Sequence, residues 1–138
     1  MKTGTLYLIP TPIDSNELKD ILLPKDLSVV TALKHFIVET PKNARRNLGT
    51  LPMDTAIQEI DIQELSEHTK DDQVKTLLEP AMQGLDMGLM SDAGLPSIAD
   101  PGYRVVIEAQ KYDIKVVPLV GPSSIVLALM GSGLNGQN

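Results

Sequence analysis

The chain has 138 residues, of which 42% are hydrophobic, with one Phe, three Tyr and no Trp. That is enough for one domain with an aliphatic core of Val, Ile, Leu and Met, too little for two of ordinary size, and a poor source of aromatic base-stacking platforms. The absence of Cys excludes disulfides, thiolate metal sites and a Cys nucleophile, and a net charge of −6 repels phosphate backbones at long range, so any contact with a polyanion must be local.

The first apolar run, Thr5–Pro10, predicts a strand. Like every later run it is too short for a signal sequence or a membrane span, and the expectation is a soluble, cytoplasmic protein with no membrane partner. Ile9-Pro-Thr-Pro-Ile-Asp14 stands where a glycine-rich dinucleotide turn would follow that strand, and no G-x-x-x-x-G-K-S/T occurs, which takes the main support from dinucleotide and P-loop functions. His35–Glu39 predicts the second strand. Thr40 and Pro41 then read as N-cap and first residue of a short helix closing near Gly49. Lys42, Arg45 and Arg46 make a local basic patch on that helix, able to meet a phosphate or simply to be solvated.

Thr55–Ile60 predicts a third strand. Val74, Leu77, Leu78, Ala81 and Met82 have helical spacing within Asp71–Gln83, and Pro80 predicts a kink there. Met87–Ser91 predicts the fourth strand, Tyr103–Tyr112 a helix, Lys115–Leu119 the fifth strand, and Ser123–Met130 a last helix after Gly121-Pro122. Strands alternating with helices predict an α/β fold: a mainly parallel five-stranded sheet with helices on both faces.

Ligands of open α/β sheets bind beyond the carboxyl ends of the strands, which gathers Pro10–Asp14, Ser91–Gly102 and Val120–Ile125 into one neighbourhood. The middle segment exceeds the roughly 2–6 residues of an ordinary strand-to-helix connection. Gly94 allows a close backbone approach, while Pro96 and Pro101 stiffen the loop. Asp92 and Asp100 are either acid–base groups or, more often for loop aspartates, braces of turns and helix caps. His35 and His68 lie far apart in sequence, so no metal site is expected; His68 should be solvated.

Taken together, Leu6-Tyr-Leu-Ile-Pro-Thr-Pro-Ile13, Ser91-Asp-Ala-Gly-Leu-Pro-Ser-Ile-Ala-Asp-Pro-Gly-Tyr103 and Val117-Pro-Leu-Val-Gly-Pro-Ser-Ser-Ile125 resemble the tetrapyrrole methylase family, the class III S-adenosylmethionine-dependent methyltransferases. Within it they are most similar to the ribosomal RNA branch, which methylates a cytidine ribose 2′-oxygen. The resemblance implies two α/β domains with S-adenosylmethionine folded between them. Residues 1–130 would be the amino-terminal domain and 131–138 the start of the interdomain linker, with the second domain absent and this chain inactive by itself. It implies contacts to S-adenosylmethionine from Pro12, Ile13, Gly94, Leu95, Ile98, Ser124 and Ile125, ribosomal RNA or the small ribosomal subunit as partner, and a homodimer.

One segment departs from that branch. Where it usually carries Ala-Glu-Asp-Thr-Arg after the second strand, this chain has Val38-Glu-Thr-Pro-Lys-Asn-Ala-Arg45, leaving Glu39, and Arg45 or Arg46 in a shifted register, as the only substitutes. The acceptor needs a base to take its proton, for which Asp92 and Glu39 are the candidates. The alternatives are a non-catalytic cofactor-binding or dimerisation module, and a methyltransferase acting on a tetrapyrrole or a protein.

Overall fold

Successive side chains of a strand point to opposite faces of its sheet, and in this chain both faces are apolar. Leu6 and Leu8 of β1 (Thr5–Ile9), Ile37 of β2 (His35–Val38) and Met87 and Leu89 of β4 (Met87–Met90) share one buried cluster with Val74, Leu78, Ala81, Val105 and Ala109. Ile9, Phe36, Val38 and Met90 point the other way, into a second cluster with Leu18, Leu22, Val30, Ala44 and Leu48. The helices of the first cluster are α4 (Asp71–Leu77), α5 (Glu79–Met82) and α6 (Tyr103–Lys111). Those of the second are α1 (Leu18–Ile21), α2 (Pro24–Thr31) and α3 (Pro41–Gly49). This computed structural model describes residues 2–14, 16–98 and 100–134.

With β3 (Asp61–Glu64) and β5 (Lys115–Pro118) at its edges, the five-stranded sheet has the order β3-β2-β4-β1-β5, and every pairing is parallel. The predicted α/β architecture, with helices on both faces, is the observed one. Gly88 is required at its centre: a Cβ there would stand 2.6 Å from Ile9 Cδ1 and 2.8 Å from Phe36 Cδ1. β4, β1 and β5 are consecutive neighbours, so the loops leaving their carboxyl ends emerge side by side.

The third strand is displaced from its predicted place. Thr55–Ile60 is not a strand; Ile57–Glu59 forms a single 3₁₀ turn and the strand is Asp61–Glu64. Ile57 and Ile60 are three apart, the spacing of one tight turn, and Ile60 is buried as an anchor before Asp61 pairs with His35. The strand itself is a polar edge, which hinders further pairing and leaves little hydrophobic signal.

Pro80 acts as predicted and more strongly, since the helix breaks at Leu78 into α4 and α5. α7 (Ser124–Ser132) starts where the sequence placed it, with Ser123 as N-cap accepting from the Val126 N–H at 3.3 Å. It runs two residues past Met130, to a left-handed cap at Gly133. Residues 135–138 of the expected linker lie outside the described residues. None of the described helices is long and apolar enough to cross a membrane.

Candidate functional site

The β1 and β4 loops are tied by backbone. Thr11 N–H donates to the Gly94 carbonyl at 2.9 Å and Gly94 N–H returns the bond to Thr11 at 3.0 Å. Thr11 is fully buried, and its hydroxyl reaches the Ser91 carbonyl at 3.3 Å. Gly94 has φ +79°, in the left-handed region open to glycine, and a Cβ there would face Ile13 Cγ2 at 3.4 Å and the Pro122 carbonyl at 3.7 Å. The β5 loop closes on the same point, because Gly121 lies so near Pro10 that a Cβ would stand 2.0 Å from the Pro10 Cβ.

Beyond this knot lies a hollow of about 260 Å³ lined by Gly94, Leu95, Ile98, Ser123, Ser124 and Ile125, with Ala93 at its edge. Gly94, Leu95, Ile98, Ser124 and Ile125 were all expected at the cofactor site, and they meet here. Ile13 abuts Gly94 from the side. Pro12 faces a neighbouring hollow, of about 420 Å³, with Arg46, Asn47 and Asp92. Ile98 is 50% exposed and Ile125 54%, so apolar surface at the site faces outward.

The two candidate bases come together at the ends of β2 and β4. Glu39 Oε1 accepts the Asp92 N–H at 2.8 Å, Glu39 N–H donates to the Met90 carbonyl at 3.2 Å, and Thr40 donates its hydroxyl to Asp92 Oδ2 at 2.8 Å. Thr40 thus spends its side chain on Asp92 and makes no side-chain cap for α3. The carboxylates face different spaces. Asp92 lines the hollow beside Pro12, while Glu39 lines one of about 560 Å³ with Ser97, Asp100, Tyr103 and Arg104.

Asp100 is a brace. Its Oδ1 accepts the Ser97 N–H at 3.0 Å and the Gly102 N–H at 2.7 Å, holding Ser97 at φ +70°. His35 lies at the opposite end of the sheet, 3.1 Å from Asp61 Oδ2, away from these loops, and His68 is exposed. Arg104, which sequence reasoning missed, is largely buried and donates to the carbonyls of Ser66 (3.2 Å) and Thr69 and to Asp71 (3.0 Å). It fastens the loop after β3 to α6. A lone Arg in a helix carries no signal of this. Thr11, held between Pro10 and Pro12, did carry one.

The chain is similar in sequence and in fold to known methyltransferases. It is 34% identical over 129 residues to ribosomal RNA small subunit methyltransferase I of Vibrio cholerae, covering 94% of this chain and 42% of that protein. With the protein of that name from Escherichia coli O157:H7 it shares 36% identity over 131 residues, 95% of this chain and 43% of the relative. The chain is a homologue of these methyltransferases. It spans less than half the length of either relative. Its fold is that of a uroporphyrin-III-C-methyltransferase from Thermus thermophilus, with TM-score 0.57 at 17% identity, over 96% of this chain and 54% of that one. No family model matches the sequence.

Proposed function

We propose that this chain supplies one wall of the S-adenosylmethionine site of a ribosomal RNA methyltransferase acting on a ribose 2′-oxygen. The observation that carries this is the hollow where Gly94, Leu95, Ile98, Ser124 and Ile125 converge beyond the ends of β4, β1 and β5. Its chemistry suits the cofactor: a backbone without a Cβ at Gly94, two serine hydroxyls, and the apolar side chains of Leu95, Ile98 and Ile125. At about 260 Å³ it is smaller than the ~300–1,000 Å³ of a complete small-molecule site. On this reading a second domain covers Ile98, Ile125 and the apolar side of α7. The same surface suits a homodimer, and the protein works in the cytoplasm on the small ribosomal subunit.

When bound, S-adenosylmethionine offers an electrophilic methyl group on a sulfonium sulfur. The chain's part is positional: the Thr11–Gly94 bridge fixes the wall, and the apolar residues exclude water from the line of transfer. The cofactor would supply the methyl group to the acceptor oxygen and keep the sulfur electron pair, and a carboxylate of this chain would take the acceptor proton. Asp92 is the better placed of the two bases, since Glu39 faces the other hollow.

Similarity at 34–36% identity to ribosomal RNA enzymes favours RNA over a tetrapyrrole as acceptor, because the tetrapyrrole likeness at 17% is one of fold. Calorimetric titration with S-adenosylmethionine tests the proposal. Ile98→Lys sits on the half-exposed wall and should weaken binding about tenfold, or about 1.4 kcal/mol, by opposing the sulfonium charge. Unchanged affinity would remove this hollow as the site.

A further inference from the structure

α3 carries Lys42, Arg45 and Arg46 within one helix that has no acidic residue. Spacings of three and four place them on one side, away from the buried Ala44 and Leu48. All three are exposed, and none has an acidic oxygen within 4 Å among the described residues. Three other cations are paired, Lys19 with Glu17 at 3.3 Å, Arg104 with Asp71 at 3.0 Å and Lys111 with Glu108 at 3.4 Å. The remaining lysines, Lys2, Lys25, Lys34, Lys70, Lys75 and Lys115, are spread singly or in twos over other segments rather than gathered three to a helix. Like charges at this spacing destabilise a helix, and Lys42, in the first turn, also opposes the helix dipole. In a chain of net charge −6 this concentration is local and uncompensated.

The patch borders the reacting end of the molecule. Arg46 and Asn47 of α3, with Thr50 after it, form one side of the 420 Å³ hollow whose other walls are Pro12, Asp14, Asn16, Glu17 and Asp92. Of the acidic groups on its other side, Glu17 is paired with Lys19 at 3.3 Å and Asp14, held by the Asn16 N–H at 2.9 Å and the Asn16 amide at 3.1 Å, keeps its charge, so phosphates belong on the α3 side. Thr40 holds one oxygen of Asp92 and leaves Oδ1 without a hydrogen bond among the described residues.

We propose that this hollow receives the sugar–phosphate backbone of a single RNA strand, with Lys42, Arg45 and Arg46 pairing its phosphates and Asp92 facing the ribose. The inference rests on the function proposed above and adds where the acceptor strand lies. Phosphates bind α3, the ribose enters between α3 and the β1 loop, and Asp92 stands between that ribose and the Gly94 wall. The strand is single because an unpaired nucleotide can be splayed away from its neighbours and turned into a hollow, which a nucleotide held in a duplex cannot.

The test is fluorescence anisotropy of the chain with a labelled single-stranded RNA of about ten nucleotides, measured over a series of salt concentrations. Neutralising the patch in K42Q/R45Q/R46Q should lower affinity at low salt at least tenfold. It should also flatten the slope of log K against log salt by about 2, since each lost single-strand phosphate contact accounts for about 0.7. The control K2Q/K34Q/K115Q removes the same charge from exposed lysines at the amino ends of the strands and should leave most of the affinity.

Equal losses in both triple variants would reduce the effect to net charge and overturn the proposal. So would a parent chain that binds no RNA at low salt, or an α3 variant with an unchanged slope. Titration of the α3 variant with S-adenosylmethionine should match the parent. RNA binding through α3 in a chain that takes no S-adenosylmethionine would fault the cofactor assignment and spare the patch.

Discussion

Replacing Gly94 tests the site most sharply, because the cost can be divided into a backbone part and a contact part. At φ +79° any L-residue pays for the left-handed conformation, roughly 1–2 kcal/mol, which in a chain of this size lowers Tm by about 3–6 °C. An alanine Cβ would meet Ile13 Cγ2 at 3.4 Å and the Pro122 carbonyl at 3.7 Å, both ordinary contacts, so Gly94→Ala should lose stability without crowding the walls. Gly94→Val adds two methyl groups beyond that Cβ and must push the β1 and β5 loops apart. Gly133 is the matched control: its φ is +78° and a Cβ there meets nothing within 4 Å. Thermal melts and calorimetric titrations with S-adenosylmethionine on Gly94→Ala, Gly94→Val and Gly133→Val separate the two parts. All three should melt lower than the parent, and Gly94→Val alone should bind at least tenfold more weakly, a loss of about 1.4 kcal/mol. Affinity in Gly94→Val equal to that in Gly133→Val would show that the seam between Ile13 and Pro122 does not shape the site.

In the sheet, Gly88→Ala forces a Cβ against Ile9 and Phe36 and should cost about 1–3 kcal/mol in urea unfolding; an unchanged midpoint would mean those side chains move aside freely. Asp100→Ala removes the acceptor of the Ser97 and Gly102 amides and should cost about 1–2 kcal/mol and raise hydrogen exchange in residues 94–98, whereas unaltered exchange would deny its bracing role. The exposed apolar side chains of α7 should make the chain self-associate as its concentration rises in sedimentation experiments. The Leu127→Glu/Met130→Glu double variant should then be monomeric, and self-association that survives it must use another surface.

How much of this was legible in the sequence follows from where burial leaves a periodic signal. β1, β2, β4 and β5 are apolar runs and appear close to their predicted places. β3 is a polar edge strand beside an isoleucine pair with helical spacing, so the pattern favoured the wrong segment. α1 and α2 were not anticipated, although Pro24 at the first position of α2 is a start signal. At the site, the Gly-Pro loops identified the hollow because backbone shape there is set by Gly and Pro themselves. Arg104, Thr40 and the partition of Asp92 and Glu39 into separate hollows were invisible, since each depends on segments that meet only once the sheet is formed.

That partition bears on how such a site would work. A carboxylate is far too weak a base to remove an alcohol proton in advance, so the proton must leave while the new oxygen–carbon bond forms. The base need only stand in the right place with a free oxygen. On the proposed function Asp92 would meet that condition: Thr40 fixes its Oδ2, Glu39 fixes its N–H, and Oδ1 has no hydrogen bond among the described residues. Glu39 would then act on Asp92 through the backbone N–H that it accepts, as a positioning residue. If Asp92 is the base, the hydrogen bonds that brace the loop would aim it as well, and the same bonds would set both the shape of the wall and the direction of proton transfer. The proposed function would account for the rigidity that the glycines, prolines and buried Thr11 give these loops, because in a methyl transfer alignment supplies most of what a protein can contribute.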